Sequence, residues 1–362
     1  MSFPFEQESN FWWLTGIEAA DWRLIIDGSN SWLVANDVSE QHRVFDGSLS
    51  AAEAKRKSGV DGVLNAREAA TLIEKLAKKY DTVFTLGKDP HESHYDFVQN
   101  PAPATLRREL KKQFSTVKDC RLELAKLRAI KQPEEIAAIK GAIALTVDAF
   151  TSVKEQLSSY AHEYQVEAAF SEHFRSRGAK GHAYEPIVAG GKNACTLHYI
   201  ANQDALRKDE LLLLDIGALV DGYPADITRT YQLGTTSARQ RAVHKAVETA
   251  HQEIISLLRP GLKVADYHAH VDEIMQKALK DLGLLKKPSD YRTYFPHAVS
   301  HGLGVDVHDA LGRPTEFEEG MVLTVEPGIY IPKEGIGVRI EDDILITKDG
   351  HENLSAALPT SL

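Results

Sequence analysis

The sequence predicts an α+β protein in two domains: a smaller mixed α/β domain over residues 1–125, and a larger one over residues 126–362 with a curved, mostly antiparallel sheet and helices on one side. Three observations carry this. A chain of 362 residues is longer than one ordinary core needs. Short apolar runs joined by hairpin signals alternate with long helical stretches, an α+β pattern. The texture changes near residue 125, where Leu127-Arg128-Ala129-Ile130-Lys131-Gln132-Pro133 precedes a long helical pattern.

In the first domain, Leu24 to Ile26 and Trp32 to Ala35 flank Asp27-Gly28-Ser29-Asn30, a hairpin signal. Ala66 to Lys79 places Ala69, Leu72, Ile73 and Leu76 on one helical face. Val83 to Leu86 reads as a strand and Leu106 to Phe114 as a basic amphipathic helix. The boundary falls between Asp119 and Gln132.

In the second domain, Pro133 suits the first turn of a helix, where its missing N–H costs nothing. Helices are expected at 134–157, 163–177, 237–258 and 264–282. Strands are expected at 186–189, 196–200, 211–217, 224–232, 321–326 and 336–347, with Val305 to Val307 a further strand.

Composition narrows the function. A formal charge of −10 and a pI near 5.8 argue against a nucleic-acid or anionic-membrane partner, since either wants a basic face. Cys120 and Cys195 are too few for a disulfide framework or a thiolate zinc site. The N-terminus lacks a basic and then apolar leader, and no apolar stretch approaches the roughly 20 residues that span a bilayer. A cytoplasmic location is the default expectation.

The chemistry begins with two aspartates. Asp215 ends the run Leu211 to Leu214, where an ionised carboxylate is costly unless a cation meets it. Asp221-Gly222 is a two-residue hairpin turn, so residue 217 faces residue 226. Asp215 and Asp226 are then diagonal neighbours on one face, roughly 7 Å apart. Two carboxylates that close repel, and a bound metal removes the conflict. His297, His301 and His308 crowd a glycine-containing segment. Glu326 precedes Pro-Gly, and Glu341 shares a strand face with Arg339, a pair that taken alone reads as a structural salt bridge. Four carboxylates and one imidazole would balance two divalent cations and suit Mn²⁺, Co²⁺ or Zn²⁺. Two such ions make water a nucleophile at neutral pH.

The order Asp, Asp, His, Glu, Glu resembles the pita-bread metallopeptidases of family M24, in the branch of Xaa-Pro aminopeptidase (aminopeptidase P) and prolidase. The resemblance rests on Ile187 to Ala194 with Leu197-His198-Tyr199, Leu214-Asp215-Ile-Gly, Ala225-Asp226-Ile-Thr-Arg-Thr230, Ser300-His301-Gly-Leu-Gly to Asp309, Thr324-Val-Glu326-Pro-Gly and Val338-Arg339-Ile-Glu341-Asp. Phe11-Trp-Trp-Leu-Thr-Gly-Ile resembles the start of the family's N-terminal domain. The similarity implies a pita-bread catalytic domain and two divalent ions, with Mn²⁺ the expected metal. Asp215 would chelate one ion, His301 and Glu326 the other, while Asp226 and Glu341 bridge both. His198, His297 and His308 would line the substrate site, with His308 or His198 stabilising the oxyanion, Arg339 would support the bridging carboxylates, and Glu326 would handle the proton. The substrates implied are peptides with proline at the second position, and a homodimer is expected. Within the branch, Val305-Asp306-Val307-His308-Asp309 favours the aminopeptidase, with the Xaa-Pro dipeptidase as the alternative. A non-catalytic pita-bread binding protein is a remote alternative, because such proteins lose ligands and all five are present.

Overall fold

The computed structural model describes residues 5–87 and 100–362. The leader reading above leans partly on residues 1–4, which lie outside the described residues. By contact density the chain divides into residues 1–124 and 125–362.

Among the described residues the first unit contains α1 (Ser9–Thr15), β1 (Arg23–Asp27), β2 (Asn30–Val34), α2 (Glu40–Asp46), α3 (Ala51–Ser58), β3 (Gly62–Leu64), α4 (Ala66–Lys79), β4 (Thr82–Thr85), α5 (Ala102–Leu110) and β5 (Thr116–Asp119). The β1–β2 hairpin pairs Asp27 with Asn30, so Gly28 and Ser29 form its turn. β3 joins β2 in parallel, and β4 pairs with β5 in parallel, making the unit mixed. Asn65 and Glu68 close a reciprocal capping box at the start of α4. The helix expected at 106–114 starts earlier, at Ala102, and gives way to turns from Lys111. Ile17, Leu33, Ala54 and Val60 form the unit's core.

α6 (Arg121–Ala129) leads into α7 (Pro133–Glu155), which has Pro133 in its first turn, and then α8 (Glu163–Ser176). The remaining elements are β6 (Gly181–His182), β7 (Ile187–Gly190), β8 (Leu211–Ile216), β9 (Ala218–Val220), β10 (Tyr223–Pro224), β11 (Ile227–Gln232), α9 (Ala238–Leu257), α10 (Val264–Asp281), α11 (Asp290–Tyr294), β12 (Val322–Val325), β13 (Gly328–Ile331), β14 (Ile336–Arg339), β15 (Asp342–Thr347) and β16 (Gly350–Asn353). Every described strand pairing in this unit is antiparallel. α9 and α10 bury Val243, Val247, Ile254, Val271 and Met275 in one core with Leu323, Val325, Val338 and Ile344 from the strands.

Three sequence readings are corrected. α7 has the length and apolar composition of a membrane span, which a search for unbroken apolar runs overlooks. Its Ile139, Ile143, Phe150 and Val153 are buried on one side, with Glu134, Lys140 and Glu155 exposed, so it serves here as a core helix. Residues 196–200 form a turn, because the chain there is drawn toward α8 by side-chain bonds. Residues 305–307 form bends, because Asp309 N–H bonds back to the Gly302 carbonyl at 2.8 Å and folds the segment on itself.

Candidate metal centre

The centre grows from one hairpin. Asp221 (φ 49°) and Gly222 (φ 80°) both take the left-handed conformation, a type I′ turn whose twist suits a two-residue loop. Val220 then pairs with Tyr223, Ile216 with Ile227 and Asp215 with Thr228. Gly217 sits where the two arms pass closest. A Cβ there would lie 1.8 Å from the Ala225 carbonyl oxygen, so only glycine lets the ladder cross. Asp215 and Asp226 emerge on one face: the Tyr184 hydroxyl lies 2.6 Å from Oδ1 of each, sharing one proton between them.

Backbone pairing delivers the other donors. Residues 299–303 run along β12, with Glu326 N–H on the Val299 carbonyl, Thr324 N–H on that of His301 and Leu303 N–H on that of Val322. His301 and Glu326 are thereby held side by side, Nε2 to Oε1 at 3.7 Å. Glu341 N–H bonds the Thr228 carbonyl at 3.0 Å, which joins β11 to the strand pair carrying Glu341. Asp226, His301 and Glu341 bring ligand atoms within 4.8 Å of one another. His301 Nδ1 donates to the Gly302 carbonyl at 3.0 Å, fixing the tautomer that leaves Nε2 facing Asp226 at 3.5 Å.

Arg339 corrects the local salt-bridge reading. Its guanidinium meets Asp215 at 2.5 Å, not Glu341, and also donates to Thr228 Oγ1 at 3.2 Å and Tyr330 Oη at 2.9 Å. Glu341 instead accepts from the Thr228 hydroxyl at 2.6 Å. His297 Nδ1 donates to the Ala298 carbonyl, so its Nε2 accepts from the Tyr330 hydroxyl at 2.8 Å. The same ring lies 3.6 Å from Glu326 Oε2. His308 is exposed, with its ring 4.2 Å from that of His301. His198 is exposed, and its charge bears on His297.

The electrostatics follow from burying like charges together. Burial, then Asp226, Glu326 and Asp215, push the Glu341 carboxyl well above the carboxylate range. Burial raises Glu326 to about 7 against the pull of His301 and Arg339. Asp215 is raised by burial and partly restored by Arg339. Burial depresses the His301 imidazole, but Asp226 and Glu326 outweigh it and lift the ring to about 9. Burial, then Arg339, takes His297 down to about 4. A buried set of crowded carboxyl groups converging on an oriented imidazole nitrogen matches the donor chemistry of divalent cations.

Sequence reasoning missed Tyr184, Thr228, Tyr330 and Asp343, whose Oδ2 accepts from the Asp226 N–H at 3.1 Å. Thr228 was within reach, since residues two apart on a strand share a face with Asp226. Tyr184 lies 31 residues before Asp215 with no periodic signal connecting them.

Residues 137–348 match the model of metallopeptidase family M24, and residues 1–84 that of the aminopeptidase P N-terminal domain. The chain is 34% identical to the Xaa-Pro aminopeptidase of Escherichia coli K12 over 98% of its own length and 87% of that protein. It is 31% identical to human Xaa-Pro aminopeptidase 3, over 99% and 76% of the two chains. Among solved structures, proline aminopeptidase P II from Yersinia pestis superposes with a TM-score of 0.83 at 33% identity, covering 99% of this chain and 89% of that one. A zinc-substituted E. coli aminopeptidase P in complex with product gives 0.83 at 32% identity, covering 99% and 88%. These likenesses carry the pita-bread fold and a divalent-metal centre with them. The chain belongs to metallopeptidase family M24 and is built on the pita-bread fold of aminopeptidase P.

Proposed function

We propose that this chain is an Xaa-Pro aminopeptidase, a metallo-exopeptidase releasing the N-terminal residue that precedes proline. The observation that carries the reading is the convergence of Asp226, His301 and Glu341 within 4.8 Å, with Glu326 3.7 Å from His301 and Asp215 tied to Asp226 through Tyr184. The relatives matched along nearly the whole chain bear the same activity in their names.

The five residues would hold two ions, with Mn²⁺ the proposed pair and Co²⁺ or Zn²⁺ as substitutes. Ions bound there supply Lewis acidity toward the scissile carbonyl and make water acidic enough to attack at neutral pH. The protein's own groups do the rest. Arg339 and Tyr184 hold the Asp215 carboxylate in place from opposite partners. Glu326 accepts the proton shed by the attacking water and returns it to the proline nitrogen. His297 stays neutral at physiological pH, locked by Ala298 and Tyr330, so it presents a fixed wall rather than a charge. His308 and His198, both exposed, would be the imidazoles that meet the substrate carbonyl. The bond before proline is a tertiary amide, so a site demanding no N–H from it accepts it.

A homodimer in the cytoplasm is part of the same proposal. The test is a chelator-controlled assay on Xaa-Pro-Yaa and Xaa-Pro peptides with and without Mn²⁺. Release of Xaa from the longer peptide is expected. Cleavage of the dipeptide alone would make this an Xaa-Pro dipeptidase, and no metal-dependent cleavage of either would indicate a binding protein.

A further inference from the structure

Glu163 opens α8, and its carboxylate is 0% exposed. Four neutral donors surround it. Oε1 accepts from Gly190 N–H at 2.8 Å and Asn193 Nδ2 at 3.0 Å. Oε2 accepts from the Tyr199 hydroxyl at 2.8 Å and Asp204 N–H at 2.8 Å. This fills the roughly four acceptor sites a carboxylate has. The helix N-terminus adds favourable potential for the negative charge.

The donors belong to one segment, taken at its start, near its middle and at its end. That segment, residues 190–204, runs from the last residue of β7 into the connection to β8, and it carries His198 next to Tyr199. Backbone bonds close the same end: Glu163 N–H meets the Asp204 carbonyl at 3.0 Å, and Leu206 N–H that of Ala161 at 2.9 Å. Asn202 adds a second tie, accepting from Val188 N–H and donating to the Pro186 carbonyl. His198 itself is exposed.

We propose that Glu163 is a positioning residue that presents His198 to the substrate by binding the 190–204 segment at four points. This rests on the reading of His198 as a substrate-site residue. The chemistry of a Glu163→Gln change is directional. An amide can still accept from Gly190 and Asn193, and the Tyr199 hydroxyl can turn to accept from its NH₂. The Asp204 N–H then faces another donor and is left unpaired, so the damage falls at the far end of the segment that carries His198.

The test is a double-mutant cycle of Glu163→Gln and His198→Ala, read as kcat and KM on an Xaa-Pro-Yaa peptide with Mn²⁺, alongside amide hydrogen exchange over 188–206. Glu163→Gln is expected to lower kcat/KM by about 10- to 100-fold, as a misplaced group does. Exchange at Asp204 should accelerate, and the change should add less than about 2-fold in the His198→Ala background. Independent, multiplying effects would overturn the proposal, as would unchanged exchange in the segment. If His198→Ala alone leaves kcat/KM intact, the His198 reading falls and the proposal with it. If no Xaa-Pro peptide is cleaved, the proposed function falls, and unaltered exchange would separately overturn the anchoring role. Should Glu163→Gln yield no folded protein, Tyr199→Phe removes one of the four donors and carries the same cycle.

Discussion

The Arg339 guanidinium meets the Asp215 carboxylate at 2.5 Å across 124 positions of sequence, while passing over Glu341 two residues away. That choice ties the strand carrying one carboxylate to the hairpin carrying two others. It also spreads the cation over Thr228 and Tyr330. Lysine has the charge but not the fork. Arg339→Lys is therefore expected to weaken metal affinity and activity together by about 10- to 100-fold. Titration calorimetry with Mn²⁺ checks this, and unchanged affinity would detach Arg339 from the centre.

Tyr184→Phe removes the hydroxyl between Asp215 and Asp226 while keeping the ring. Metal affinity should fall by about 10-fold, as for loss of a bonded partner behind a ligand. The melting temperature of the metal-free protein should fall as well, because two carboxylates then face each other without their shared proton.

Metal binding should release protons. His301 lifted to about 9 is charged at pH 7.5, and Glu326 near 7 is partly protonated, so both must lose protons to become ligands. Calorimetry in buffers of different ionisation enthalpy should report at least about one proton released at that pH. Affinity should rise with pH up to about 9.

Acid should loosen the fold through buried imidazoles. Burial holds His251 at about 4 and His297 at about 4, both depressed from 6.5. Their stabilising contribution is full above 6.5 and is lost as pH falls through about 4, because the unfolded chain takes up the protons first. These imidazoles oppose Glu326 and Glu341, whose raised carboxyls take up protons first in the folded chain, so the readout is the difference: His251→Gln should lose less urea stability between pH 6.5 and 4 than the unmodified chain does.

Gly217→Ala should disrupt the hairpin crossing, since its Cβ would land on the Ala225 carbonyl. A loss of about 1–3 kcal/mol or more is expected from such overpacking. Chemical denaturation with and without Mn²⁺ measures it, and the metal-loaded form should lose more.

The hairpin register was legible because a two-residue Asp-Gly turn leaves one alignment, and alternation then fixes the faces of Asp215 and Asp226. The long helices were legible from periodicity and from Pro133, but the short ones at Ser9–Thr15, Glu40–Asp46, Ala51–Ser58, Arg121–Ala129 and Asp290–Tyr294 offer too few turns for a periodic pattern and were not read. The turn at 196–200 was not, because Tyr199 is pulled out of a strand-like run by a carboxylate 36 positions earlier. The bends at 305–307 were likewise hidden, since they depend on Gly302 pairing with Asp309 rather than on local propensity. Arg339 was placed on the correct strand, and alternation offered Glu341 as its local partner, whereas its hydrogen bonds go to Asp215, Thr228 and Tyr330. Strand alternation says which residues share a face, and only the folded sheet says which carboxylate arrives beside them.

Glu326 is the one ligand to which a proton-transfer role is also assigned. Glu326→Gln should leave the fold intact while turnover disappears.

The most direct test titrates Mn²⁺ into chelator-stripped protein and follows release of the first residue from an Xaa-Pro-Yaa peptide. The account predicts no turnover without metal and a plateau at two equivalents per chain. Full turnover in excess chelator, or a plateau reached with no bound metal, would contradict it.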